Sequence, residues 1–232
     1  KCSTNYCRFL PQIASFACSV SGDSLLINIP AASAGNVNLK NASLQFELSG
    51  SYPYDGSGSL EILEASGECT IALRIQGWCR NWTLALNGKP VSDSPEKGYV
   101  RMRRAWKKGD RIEWNFDMPV RVLHANPRVS ADIGRAAILR GPLVYALESV
   151  DNSAPLELIR LKKGTTFTVK PAEGLPDGTV AISGDAMIQT DTDQLYFESD
   201  LPLSPGRFTA IPSALWQNRG DSSMRIWIPE AE

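Results

Sequence analysis

The sequence holds a single histidine, His124, so a metal site or catalytic set built from two or three imidazoles has no basis within these 232 residues. It also lacks a Gly-x-Ser-x-Gly elbow, a phosphate-binding loop ending in Gly-Lys-Ser/Thr and a dinucleotide-binding glycine fingerprint, which removes the commonest serine-hydrolase and nucleotide chemistries. No apolar run approaches the roughly 20 residues that span a bilayer, and the first residues lack the charged-then-apolar layout of a secretory leader. Charge of one sign is missing as well: 24 Lys and Arg against 25 Asp and Glu give a net charge of -1. Nucleic acid and membrane are therefore not the expected partners. The five cysteines, Cys2, Cys7, Cys18, Cys69 and Cys79, are an odd number whose spacings match no zinc finger or redox pair. They read as small buried or half-buried hydrophobes, in a chain long enough to build its core without metal or disulfides.

What is present is mostly strand signal. Tyr6, Phe9, Leu10, Ile13, Phe16 and Ala17 recur at three- and four-residue steps and predict one short amphipathic helix, with Thr4 or Asn5 placed to cap it. From Ser24 onward the period changes to alternation, as in Leu25–Ile29, Leu44–Leu48, Thr70–Ile75, Leu84–Leu86 and Arg111–Phe116. Turn pairs such as Asp55-Gly56, Ser66-Gly67, Asn87-Gly88 and Gly109-Asp110 separate the runs, and Asn87-Gly88 is the sharpest hairpin signal.

Further strands are expected at Ala136–Leu139, Leu143–Leu147, Phe167–Val169, Thr179–Ile182, Leu195–Phe197 and Arg225–Ile228. The fold class is all-β: an antiparallel, jelly-roll-like β-sandwich followed by a smaller β lobe, with one short N-terminal helix. The polar stretch Asp151–Pro155 is the expected boundary, giving residues 1–20 as helix, 21–150 as sandwich and 151–232 as the lobe. The helix reads as the end of an upstream domain, because its apolar stripe needs a partner.

Chemistry is harder to find. Glycoside hydrolysis needs two facing carboxyl groups, and Asp55, Glu61, Glu64, Glu68, Glu113 and Glu148 are scattered over strands and turns without marking such a pair. No catalytic residue is assigned. Exposed aromatic faces offer a second reading, since Trp and Tyr stack on sugar rings; Tyr52, Tyr54, Trp78, Trp82, Trp106 and Trp216 are the candidates, with Trp78, Trp106 and Tyr54 the expected carbohydrate contacts. Core packing is the competing role for each of them.

Several strings together resemble glycoside hydrolase family 127, the β-L-arabinofuranosidase-like enzymes. They are Tyr52–Gly56, Leu73–Cys79, Asn87–Lys89, Gly98–Val100, Arg104–Asp110, Arg140–Tyr145 and Ala210–Pro212, closed by Trp216–Gly220 and Met224–Pro229. The resemblance implies a bacterial protein whose complete form has an N-terminal (α/α)6 catalytic barrel followed by β-sandwich domains. It places this chain in the second part. It further implies that the barrel ends near a Cys-Cys-x-x-Asn motif with zinc-binding thiolates, of which Cys2-Ser3-Thr4-Asn5 matches the last four positions.

Lys1 stands where the nucleophilic cysteine is expected, and its ammonium repels a cation. Cys2 is therefore a metal ligand only together with an upstream barrel, and zinc is expected in the complete parent rather than in this chain. The implied function is that of a non-catalytic accessory region, with the upstream barrel as partner. The alternatives are a carbohydrate-binding module and a structural domain that forms homodimers. The chain is expected to be soluble, in the bacterial cytoplasm or periplasm.

Overall fold

The computed structural model describes residues 3–231, so Lys1 and the metal-ligand candidate Cys2 lie outside the described residues. The chain is all-β after one helical segment and divides into two compact units, residues 1–118 and 119–232. The helical segment is α1 (Ser3–Phe9), continued by a tighter 3-10 stretch over Leu10–Phe16. Pro11 explains the change, because it has no N–H to give to the carbonyl four residues back. Thr4 and Asn5 lie inside the first turn rather than capping it.

Ten strands follow in the first unit: β1 (Cys18–Ser21), β2 (Ser24–Ile27), β3 (Ser33–Asn38), β4 (Ser43–Gly50), β5 (Ser57–Ser66), β6 (Glu68–Arg74), β7 (Trp82–Leu86), β8 (Lys89–Pro90), β9 (Tyr99–Ala105) and β10 (Arg111–Phe116). They form a four-stranded sheet ordered β1-β2-β6-β9 and a six-stranded sheet ordered β3-β4-β5-β10-β7-β8. Alternation decides which side chains meet. Leu25, Ile27, Ile71, Leu73, Val100 and Met102 from the first sheet share one core with Leu44, Phe46, Leu48, Leu60, Ile62, Ile112 and Phe116 from the second. The Asn87-Gly88 hairpin forms as expected between β7 and β8, both residues taking positive φ (51° and 74°) as a tight primed turn requires.

The second unit holds β11 (Val120–His124), β12 (Arg135–Arg140), β13 (Leu143–Glu148), β14 (Ile159–Lys162), β15 (Thr168–Pro171), β16 (Val180–Gln189), β17 (Leu203–Pro212), β18 (Met224–Arg225) and β19 (Ile228–Ala231). Its pairings close on themselves: β12 to β13, β17, β16, β14, β19 and back to β12. Closure removes free sheet edges from this circuit of strands. It also moves the expected boundary. Asp151–Pro155 lies within the second unit, and the division falls between Met118 and Pro119, because β12 and β13 pair with β17 and β19 rather than with the first sandwich.

The expected strand at Leu195–Phe197 does not form. β16 and β17 pair out to Gln189 and Leu203, leaving residues 190–202 as their connection, where Leu195 and Tyr196 are 88% and 92% exposed. Asp191, Asp193, Glu198 and Asp200 surround that apolar run with charge.

One polar node ties the second unit together. Glu148 is 1% exposed and accepts hydrogen bonds from Ser222 Oγ, the Gln217 N–H (3.0 Å) and Arg219 Nη2 (2.6 Å), while Arg219 also pairs with Asp151. Burial pushes the Glu148 carboxyl up, but the Ser222, Arg219 and Gln217 donors outweigh it and hold the group below the usual carboxylate range. Arg219→Ala is expected to destabilise the chain by about 3–5 kcal/mol in urea unfolding, because it leaves a buried carboxylate unpaired. A depressed folded value means that this stabilisation is present above the unfolded value of about 4.3 and is lost as pH falls through the folded one. Melting temperatures of the Glu148→Gln variant should therefore fall less steeply than those of the parent chain over the acid side of that value.

Candidate functional site

Five of the six carboxylates singled out from the sequence are already engaged, Glu148 among them. Glu61 and Glu113 both pair with Arg111 (3.4 and 3.2 Å), Glu68 pairs with Arg103 (2.9 Å), and Asp55 accepts the Ser57 N–H. His124, near the end of β11, sets Nε2 3.1 Å from Glu230 Oε1 and is largely exposed. Among the described residues no three His, Cys, Asp or Glu side chains come together as a metal site. Cys7, Cys18, Cys69 and Cys79 form no disulfide, and burial is the leading cause that pushes the Cys18, Cys69 and Cys79 thiols up, away from nucleophilic thiolate.

The expected sugar-contact aromatics separate on folding. Trp106 is 3% exposed, donates from its indole N–H to the Cys69 carbonyl (3.1 Å) and carries the Arg104 guanidinium 5.4 Å from its ring centre. It has no face left for a sugar, so that expectation is corrected: β9 ends just before it and turns it into the core. Trp78 is half-buried, edge-on to Phe116 at 6.3 Å, and Trp82 packs partly against the same core. Tyr54 is half-exposed, in the turn after β4. Burial pushes the hydroxyl of neighbouring Tyr52 up, against the opposing pull of Trp78 and Arg74. Trp216, at 37% exposure, uses its N–H on the Ser222 carbonyl.

The distinctive strings turn out to lock turns. In Tyr52–Gly56, a Cβ on Gly56 would lie 1.9 Å from the Phe116 carbonyl oxygen, so only glycine lets this turn close on β10. In Arg104–Asp110, the Asp110 carboxylate accepts from Asn87 Nδ2 (2.8 Å) and the Lys107 N–H (2.9 Å), with Arg104 at 3.6 Å. It thereby joins the β9–β10 turn to the Asn87 hairpin. Burial raises the Asp110 carboxyl, yet these donors keep it below the ordinary range. Arg219 within Trp216–Gly220 performs the same service for Glu148.

The remaining feature is apolar. Tyr6, Phe9, Leu10, Ile13 and Phe16 on the helical segment are 67, 53, 48, 44 and 52% exposed. The segment is tethered to the sandwich through Asn28: its N–H and that of Ile29 reach the Ala17 carbonyl, its Nδ2 reaches the Phe16 carbonyl, and its Oδ1 accepts the Tyr99 hydroxyl at 2.7 Å. Beside it, a groove of about 490 Å³ is lined by Ala17, Cys18, Val20, Leu25, Ala34 and Phe46, among others. Five large apolar side chains left in water on one tethered segment mark an interaction face.

The described residues thus form an all-β region with one exposed apolar segment. Comparison with known proteins gives its family. Residues 24–118 match the β-L-arabinofuranosidase family 127 middle domain, and residues 120–229 match the glycoside hydrolase family 127 C-terminal domain. The chain belongs to glycoside hydrolase family 127, of which it carries these two domains.

A non-reducing end β-L-arabinofuranosidase of Bifidobacterium longum is 32% identical over 80% of this chain. A family 127 β-L-arabinofuranosidase of Geobacillus stearothermophilus T6 superposes with a TM-score of 0.88 at 32% identity over 98% of the chain. A further family 127 β-arabinofuranosidase gives 0.91 at 30% over 99%. The chain spans 30% of the first relative and 37 and 38% of the two structures, so it corresponds to an accessory part of a glycoside hydrolase. Among the described residues no helix is long and apolar enough to cross a membrane.

If Trp106 belongs to the core, Trp106→Ala should cost about 3–5 kcal/mol of unfolding free energy, as large aromatic truncations do. A loss below about 1 kcal/mol in urea titration would return Trp106 to the surface aromatics.

Proposed function

We propose that this chain is the accessory β region of an enzyme that releases β-L-arabinofuranose from the non-reducing ends of plant glycans, and that it acts by docking on and stabilising an upstream catalytic barrel. The observation that carries the reading is the helical segment, whose five exposed apolar side chains have no partner in this chain's own core. Burying the half that each still exposes against another domain would be worth roughly 1 kcal/mol per side chain. That is ample to hold a covalently connected neighbour, for which part of the association entropy is already lost.

Hydrolysis itself belongs to residues outside this chain in this reading, since Glu61, Glu68, Glu113 and Glu148 are held in ion pairs with arginines. A zinc in the parent would be held by upstream groups, with Cys2 as the donor this chain lends. The donors within residues 3–231 do not fit such a site, as no three of them converge. Tyr54 and Trp78, both half-buried rather than enclosed, keep the role of candidate glycan contacts in this reading.

The expected outcome is that the chain alone does not cleave an aryl β-L-arabinofuranoside, whereas the polypeptide extended through its upstream barrel does. In that longer protein, replacing Phe9 and Ile13 together by Asp should lower the barrel's melting temperature by several degrees and reduce its activity. Unchanged barrel stability, or turnover by the chain alone, would defeat the proposal.

A further inference from the structure

In the second unit β11 pairs along the edge of β12, beside the closed circuit of strands. Its register decides what its side chains face. Val122 lies level with Ile138 and His124 with Ala136, both core residues, so Val122 and His124 turn toward the interior. On β19, Glu230 lies level with core Leu161 of β14 and turns the same way. The two polar residues stand near the ends of their strands and meet there, His124 Nε2 lying 3.1 Å from Glu230 Oε1. A histidine and a carboxylate thus occupy inward-facing positions of a kind that apolar residues fill along the rest of these strands.

A cleft of about 310 Å³ opens at that point. Val122, Leu161 and Phe167 give it an apolar lining, and His124, Glu230 and Thr165 bring polar groups to it. Its walls are fixed. The turn after β14 closes with the Thr165 N–H on the Lys162 carbonyl (3.2 Å), and the Lys163 N–H ties that turn to the Ala231 carbonyl of β19 (3.0 Å). The Thr165 hydroxyl ties it in turn to the Asp185 carbonyl of β16 (2.8 Å), and Phe167 is held in a T-shaped contact with Phe208 at 6.3 Å. Walls held in place before a ligand arrives keep the ordering cost of binding low.

The chemistry of the lining indicates the ligand. Lys162 lies level with Ala231, one step from the inward Leu161, so its side chain leaves on the opposite face. Lys163 and Glu230 then set charges of opposite sign around the cleft. An anion seated there meets the Glu230 carboxylate and a cation meets Lys163, whereas a neutral ligand rich in hydroxyls meets neither repulsion. Such a ligand donates to the carboxylate, exchanges hydrogen bonds with the imidazole and Thr165, and lays its C–H face on Phe167 and Leu161. At about 310 Å³ the cleft stands at the small end of small-molecule sites, which run from roughly 300 to 1,000 Å³, and it suits one sugar ring rather than a chain of them.

We propose that Val122, His124, Leu161, Thr165, Phe167 and Glu230 form a binding site for one neutral sugar residue of a glycan. The cleft and its preference for a neutral, hydroxyl-rich ligand are read from its geometry; that this ligand is a sugar rests on the glycan-directed reading above. Holding one sugar unit here keeps the enzyme on its polymer between turnovers.

His124 is the single histidine of the sequence, so its ring Cε1–H resonance reports this cleft without ambiguity. The test is an NMR titration of the chain at fixed pH with methyl β-L-arabinofuranoside and methyl β-D-galactopyranoside, followed through that resonance, with glycerol and inorganic phosphate in parallel. A shift that saturates at millimolar concentration with at least one glycoside, and binding at least about tenfold weaker for glycerol and phosphate, are expected. Glu230→Gln should weaken glycoside binding about tenfold, because it removes the charged acceptor. Val122→Trp, at an exposed position, should fill the cleft and abolish the shift, and it keeps the test decisive if the first variant folds poorly. No saturable response to either glycoside, or binding that Val122→Trp leaves unchanged, overturns the site. Phosphate binding as tight as a glycoside overturns the neutral ligand, and glycerol binding as tight overturns the assignment to a sugar. Each of these failures leaves the docking role standing, because that role is read from barrel stability and turnover in the longer protein.

Discussion

A carboxylate taken out of water costs several kcal/mol unless donors replace its hydration, and the turns of this protein depend on two that meet that condition. Asp110 in the first unit gathers Asn87, the Lys107 N–H and Arg104, and so joins two neighbouring turns on one side of the six-stranded sheet. Glu148 in the second unit gathers Ser222, Gln217 and Arg219, and so fastens the long connection after β17 to the end of β13. Apolar burial drives the assembly of each core. The two charged nodes decide which turns close over it, since a turn that fails to form strands a charge.

This has a functional corollary. Charged groups committed to architecture are unavailable for chemistry, and Glu61, Glu68, Glu113 and Glu148 are all held by arginines. The chain presents two compact β units, and in the proposed reading they contribute contact surfaces. The helical segment offers exposed Phe, Ile, Leu and Tyr tethered through Asn28, suited to a permanent apolar interface.

The strings that resemble the family were legible without coordinates, and the structure supplies their physical reason. Gly56 is required by a backbone approach that no side chain survives, Asn87-Gly88 by two positive φ angles, and Asp110 and Arg219 by the donors and charges they bring to turns. These are local demands, and local demands leave marks in a sequence. The candidate site was less legible. Trp106 looked as free to meet a sugar as Trp78, because burial of a strand-end aromatic depends on the sheet opposite it.

Alternation of apolar residues, turn pairs at short intervals and the change of period after Phe16 were enough to determine an all-β protein with one amphipathic segment, because period and turn chemistry act over a few residues. Only tertiary structure decided that the units divide at Met118 rather than near Asp151, that Leu195–Phe197 is a loop, and that β12 and β19 close a circuit. Each of these depends on which distant strand supplies the hydrogen bonds. Pairing partners are chosen by the whole chain's competition to bury its apolar faces, a choice that no short stretch of residues encodes.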